Sequence, residues 1–367
     1  MGVSSPDSTA PFLAGELDAT AEGEDASREG LRTVEGVMRI ACFFGMTAVL
    51  ALVASVIITT GLRHVKTGQF GVSNRIMEGA VNADIVITGS SRAVSHYDSR
   101  LIQAATGHRT FNLGRNGSQT DMQIAVLKAY LRHNRKPTIL MHNLDAFAFV
   151  ATREVYNPVQ YVPYLYDEEL YQALRRINPS IWKSRYLPLY GYVVDEMSFA
   201  WLTGLGGFFG WSPRETFFEG YNPRPGTWTQ DFQQFKAANP GGVAWPVESE
   251  AVALVEGLIN VCQQNGIRLI FVYSPEYKLM QQLTKNRADI FGRFYNLAER
   301  RHVPFWDYSE WRYAANTDYF TNSQHLNSRG AEVFSADVAK RVIEYLATRS
   351  GGDRRIDTPS EFDFWQY

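Results

Sequence analysis

The chain has 367 residues, 45% of them hydrophobic and 13% aromatic, enough to bury a large core in one domain with an insertion and tails. Its net charge of −2 argues against a nucleic-acid binder, which usually carries a basic face. Its two cysteines, Cys42 in an apolar run and Cys262 in a helix-like stretch, disfavour a disulfide framework or a cysteine-held metal. There is no phosphate-binding loop, dinucleotide fingerprint or zinc spacing, so no metal or other cofactor is expected and the chemistry must come from oxygen and imidazole groups.

Residues 1–37 are rich in Gly, Ser, Ala and acidic groups, including Asp7, Glu16, Asp18, Glu22, Glu24 and Asp25, and read as a disordered cytoplasmic tail. From Ile40 to Leu62 the chain runs 23 residues without a charge, with Arg39 before it and Arg63 and Lys66 after it. At about 1.5 Å per residue such a helix crosses a hydrocarbon core of about 30 Å. The apolar region of a cleaved secretory signal is shorter, roughly 7–15 residues. An uncleaved transmembrane helix over 38–64 is therefore expected, with the lipid bilayer as its partner. Basic residues flank it on both sides and do not fix its orientation. The usual arrangement of an early single anchor puts the large domain on the periplasmic side of an inner membrane.

Beyond the anchor, short apolar runs alternate with helical ones. DIVIT (Asp84–Thr88) reads as a buried strand, Thr120–His133 as a helix and TILM (Thr138–Met141) as a strand. Residues 151–248 break the rhythm with an aromatic, Pro- and Gly-rich insertion, which reads equally as extra core or as a lid or substrate platform. Within it, Phe199–Trp211 is too short and too Gly-broken for a second span. Ser249–Asn265 is a helix stopped at Gly266, RLIFVY (Arg268–Tyr273) a strand, Ile290–Arg301 a helix, VPFW (Val303–Trp306) a short strand and Arg329–Thr348 the last helix. The expected fold is α/β, a parallel sheet between two helical layers, formed by 65–150 and 249–348. Residues 349–367 form a C-terminal tail whose aromatic, acidic end, EFDFWQY (Glu361–Tyr367), suits docking on a protein partner, as the N-terminal tail does.

Four polar blocks follow predicted strands or precede helices, where ligands of such sheets bind. They are Gly89-Ser90-Ser91-Arg92, Asn112-Leu113-Gly114-Arg115-Asn116-Gly117-Ser118, Met141-His142-Asn143-Leu144-Asp145 and Asn322-Ser323-Gln324-His325-Leu326-Asn327. Singly, each is accounted for by a helix cap or a turn. Together and in this order, over about residues 80–345, they resemble the SGNH/GDSL hydrolase superfamily. The likeness is nearest to its membrane-anchored branch, which includes the teichoic-acid D-alanylation protein DltD and polysaccharide O-acetylation proteins. That resemblance implies a three-layer, flavodoxin-like α/β/α sandwich with Ser91 as nucleophile and His325 as base. It also implies the Gly117 amide and the Asn143 side chain as oxyanion donors. Where the family has the aspartate of D-x-x-H, this chain has Asn322, and Met141 stands where a glycine is expected. The implied function is an esterase or O-acyltransferase acting on a cell-envelope glycan, with a slowed, rewired (Asp318 moving in) or retired triad. The alternative is an inactive accessory subunit of a membrane complex.

Overall fold

The computed structural model describes residues 16–193 and 199–350, and the side chains of 30–193 and 199–348. Two compact units are distinguished, Met1–Val56 and Ile57–Tyr367. The first consists, where described, of helix alone. The helix α1 (Glu16–His64) begins inside the stretch expected to be disordered. Residues 16–37 are rich in Ala and Glu and extend an existing helix, so they avoid the cost of nucleation. Gly30–His64 is the one helix among the described residues long and apolar enough to cross a bilayer, and none of its apolar window is covered by protein. Residues 1–15 and the C-terminal EFDFWQY segment lie outside the described residues.

In the second unit, α2 (Gly68–Met77), β1 (Ile85–Thr88), α3 (Ser91–His96), α4 (Ser99–Thr106), β2 (Thr110–Asn112), α5 (Thr120–His133) and β3 (Ile139–Asn143) follow in order. The insertion contributes short helices, α6 (Glu168–Ile177), α7 (Trp182–Tyr186), α8 (Tyr190–Val193), α9 (Ala200–Phe208) and α10 (Asp231–Ala238). The chain then returns to the sheet with α11 (Ser249–Gln264), β4 (Arg268–Tyr273), α12 (Lys278–Leu283), α13 (Arg287–Arg301), β5 (Phe305–Asp307) and α14 (Ser328–Ser350).

The five strands are parallel in the order β2-β1-β3-β4-β5. Alternate side chains serve opposite faces, as the two-residue strand period requires. Val86, Leu140, Leu269 and Phe271 join one apolar cluster with α2, α5, α11 and α13. Ile85, Ile87, Met141, Ile270 and Val272 join another with α3, α4 and α14. Burial on both faces explains why Ile85–Ile87 and Leu269–Tyr273 are unbroken apolar runs. The result is the three-layer α/β/α sandwich. Because β2 and β3 lie on opposite sides of β1, the chain reverses its winding there, and it is beside the carboxyl ends of the strands at such a point that sheets of this kind bind ligands.

Candidate active site

β1 delivers the first block. Gly89 follows it at φ +147°, and a Cβ there would sit 2.8 Å from the Cβ atoms of both Ala93 and Asn143. Only glycine lets the chain swing that tightly from strand into α3. Ser90 is the N-cap, its hydroxyl accepting from the Arg92 amide at 3.3 Å. The capping task thus falls to Ser90, and Ser91, first residue of α3, keeps its hydroxyl for another partner. That partner is His325, whose Nε2 lies 2.7 Å from Ser91 Oγ.

Asn322 completes the line. Its Oδ1 is 2.9 Å from His325 Nδ1 and also accepts from the amides of Gln324 at 3.1 Å and His325 at 3.0 Å. Two backbone donors require an acceptor at that position, which fixes the amide's oxygen, not its nitrogen, toward the ring. Nδ1 must then carry the proton, and Nε2 presents its lone pair to Ser91. Asn322 therefore sets the tautomer as an aspartate would, without supplying the charge that stabilises an imidazolium. His325 feels that lack. Burial first, then the Arg224 and Arg92 guanidiniums, push its pKa down to about 3. Asp318, the sequence-level substitute, is exposed, and Asn322 holds the position on Nδ1 instead.

The short helix α3 fixes the meeting of serine and histidine from both of its ends. His96, fully buried, accepts from the Leu326 amide at 3.0 Å through Nε2, and its Nδ1 lies 2.9 Å from Ser274 Oγ. Leu326 directly follows His325, so His96 clips the histidine loop to the serine helix. Burial holds His96 well below its ordinary pKa, in the neutral form this acceptor role needs. Beneath Ser91, buried Arg92 pairs with Asp145 at 3.2 Å, donates to the Ser274 carbonyl and lies 4.5 Å from the Tyr273 ring centre. Arg92 and His96 were not singled out in the sequence. An arginine directly after the candidate serine was the available signal for the first; no local pattern marks the second.

The two expected oxyanion donors fare differently. Gly117 is exposed at φ +63°, the Tyr156 ring packs against it, and its amide has no acceptor among the described residues. Asn143 is not free for that role. It is buried, its Nδ2 faces the Leu144 carbonyl and Asp145 Oδ1, both at 3.3 Å, and its Oδ1 accepts from the Tyr97 hydroxyl at 2.8 Å. Tyr97, Leu144 and Asp145 together hold it inward, and the block pattern does not reveal the Tyr97 contact.

The insertion is stitched to these elements. The Asn112 amide donates to Glu219 O at 2.9 Å, Asn222 N to Val94 O at 2.9 Å, Ser328 N to Arg224 O at 2.8 Å and Thr229 N to Thr321 O at 2.8 Å. Residues 219–229 thus form a strap from the sheet edge across α3 to the histidine loop. Tyr156, from the same insertion, is shared between the Gly117 loop and a cleft of about 590 Å³ that also takes in Asn157, Val162, Ser180 and Tyr190. Ser91 itself does not line that cleft. Ser91, Asn322 and His325 are each only partly buried, so solvent reaches the line.

No protein-family model matches the sequence, and no curated protein matches it. Among solved structures, a GDSL-like lipase from Bacteroides thetaiotaomicron is similar at 11% identity and a TM-score of 0.36, over 75% of this chain and 98% of that one. A Bacteroides fragilis protein named as a "putative acylhydrolase" is similar at 10% identity and a TM-score of 0.34, over 71% and 86%. At this distance the assignment of chemistry falls to the side chains themselves.

Proposed function

We propose that the chain is a membrane-anchored serine hydrolase or acyltransferase of attenuated power, working through Ser91, His325 and Asn322 on an acyl ester of a cell-envelope glycan. The observation that carries this reading is the line Asn322 Oδ1–His325 Nδ1 at 2.9 Å and His325 Nε2–Ser91 Oγ at 2.7 Å. In it, Ser91 Oγ attacks the ester carbonyl while His325 takes its proton. The resulting oxyanion faces the Gly117 amide and the Ser91 amide, one of the first-turn donors a helix leaves unpaired. On collapse the alcohol departs with the proton from His325, leaving an acyl-serine that water or a second hydroxyl releases. The charge-free run of α1 is the anchor, holding the site near an envelope substrate.

The missing carboxylate favours a second reading, a retained fold serving as an accessory subunit. One experiment separates the two. A neutral fluorophosphonate applied to the full-length protein labels the wild type and not Ser91→Ala if the first reading holds. Absence of Ser91-dependent labelling, with His325 still in place, defeats it.

A further inference from the structure

We propose that Arg224 is the cationic element of a subsite for an anionic group on the substrate, placed on the leaving-group side of the ester. This rests on the reading of Ser91 as nucleophile.

The strap fixes where Arg224 stands. Two residues before it, the Asn222 amide donates to Val94, three residues after Ser91. Its own carbonyl accepts from Ser328, three residues after His325. Arg224 is therefore held between the serine helix and the histidine loop, by backbone bonds that leave its side chain uncommitted. The side chain is more buried than exposed, yet no carboxylate pairs with it and no acceptor takes its guanidinium hydrogens among the described residues. Its neighbour Arg92, by contrast, has Asp145. A guanidinium withdrawn from water without a counter-charge is costly, and such groups are normally paired. Of its neighbours, only the Tyr156 phenol acts against the effect of burial on the Arg224 cation, and it is no resident carboxylate. His325 and His96 both register the Arg224 cation and stay neutral, and burial lowers the pKa of Arg224 itself. What the position lacks is an anion, and a substrate can bring one.

The side of the ester follows from the chemistry. The alcohol leaves with the proton carried by His325, so the leaving group must lie against that ring. Arg224, tied to the loop just beyond His325, faces the alcohol portion and not the acyl portion. The substrate class is thus an ester whose alcohol carries a carboxylate or a phosphate, such as an acidic or phosphorylated sugar or polyol.

The test compares three acetyl esters on the full-length protein in detergent at pH 8: phenyl acetate (neutral), 4-acetoxybenzoate (carboxylate) and 4-acetoxyphenyl phosphate (phosphate). The readout is the ratio of kcat/KM for each anionic ester to that for phenyl acetate, in wild type, Arg224→Gln and Arg224→Lys. At least one anionic ratio is expected to fall about tenfold in Arg224→Gln, to be partly kept in Arg224→Lys, and to shrink with added salt in the wild type. The ester that responds tells carboxylate from phosphate. Ratios unchanged by Arg224→Gln, even with all rates lowered, overturn the proposal and leave Arg224 a structural residue. Neutral fluorophosphonate labelling is run in parallel. Labelling that persists while the ratios stay flat rejects the subsite alone; absence of labelling rejects the Ser91 reading and the subsite with it.

Discussion

Where α3 meets the His325 loop, position is set by directional hydrogen bonds between buried polar groups. Where the end of α1 meets α9, position is set by the absence of side chains. A Cβ on Gly61 would lie 1.7 Å from the Gly204 carbonyl oxygen, and one on Gly207 2.3 Å from that of Gly61. Leu62, Tyr192 and Ala200 close around that contact, and Thr59 Oγ1 lies 2.7 Å from the Tyr192 hydroxyl. The outer side of α9 leaves Trp201, Leu202, Leu205 and Phe208 exposed. The comparison shows two ways of fixing geometry. The first fails when a partner is removed, because a buried polar group is left unsatisfied. The second fails when an atom is added.

The largest effect expected is at the first kind of site. Arg92→Met leaves Asp145 buried without its cation, a loss of about 3–5 kcal/mol, or roughly 10 °C in melting temperature. Adding Asp145→Asn in the same chain is expected to cost less than the sum of the two changes. Strict additivity in thermal melts would break the claim that the pair acts as a unit.

At the second kind of site, Gly61→Ala forces two backbones apart and is expected to cost about 1–3 kcal/mol. Gly257→Ala in α11, with no atom within 4 Å of the added carbon, is the matched control. It is expected to gain roughly 0.5–1 kcal/mol from helix propensity. Equal effects of the two substitutions in the same melt would remove the distinction between the sites.

The smallest effect sharpens the electrostatics. Neutral His325 is the base, so kcat/KM falls as pH drops through its pKa. Held down to about 3, it should keep the profile flat well below the ordinary histidine range. Arg224→Gln removes one of the causes of that depression, so the acid limb should move upward, by less than the full distance to 6.5 because burial remains. A pH profile on phenyl acetate reads this directly, and a limb that moves down contradicts it.

Much of this was legible in the sequence for a physical reason. Strands buried on both faces must be apolar where they are buried, so Arg268–Tyr273, buried from Leu269 on, appears at the expected residues, and Thr120–His133 is local helix pattern. Ser91, Asn322 and His325 were legible as blocks because each follows a strand or precedes a helix. The remainder depends on contacts between distant segments. His96 meets Leu326 across 230 positions, Arg224 comes from the irregular insertion, and Asn143 turns inward to Tyr97 and Asp145. Nor could spacing show the use of the glycines in α9. They read as breaks in a would-be span, and they are contact points.

The central claim is that Asn322 orients His325 correctly and withholds only the charge. Asn322→Asp tests it most directly. Kinetic comparison with the wild type on a single ester should show kcat/KM raised on the order of 10²-fold, because the tautomer is already right and only part of the roughly 10⁴-fold aspartate effect is missing. The rise should vanish in the Ser91→Ala background. An unchanged or lower kcat/KM in Asn322→Asp would contradict the account.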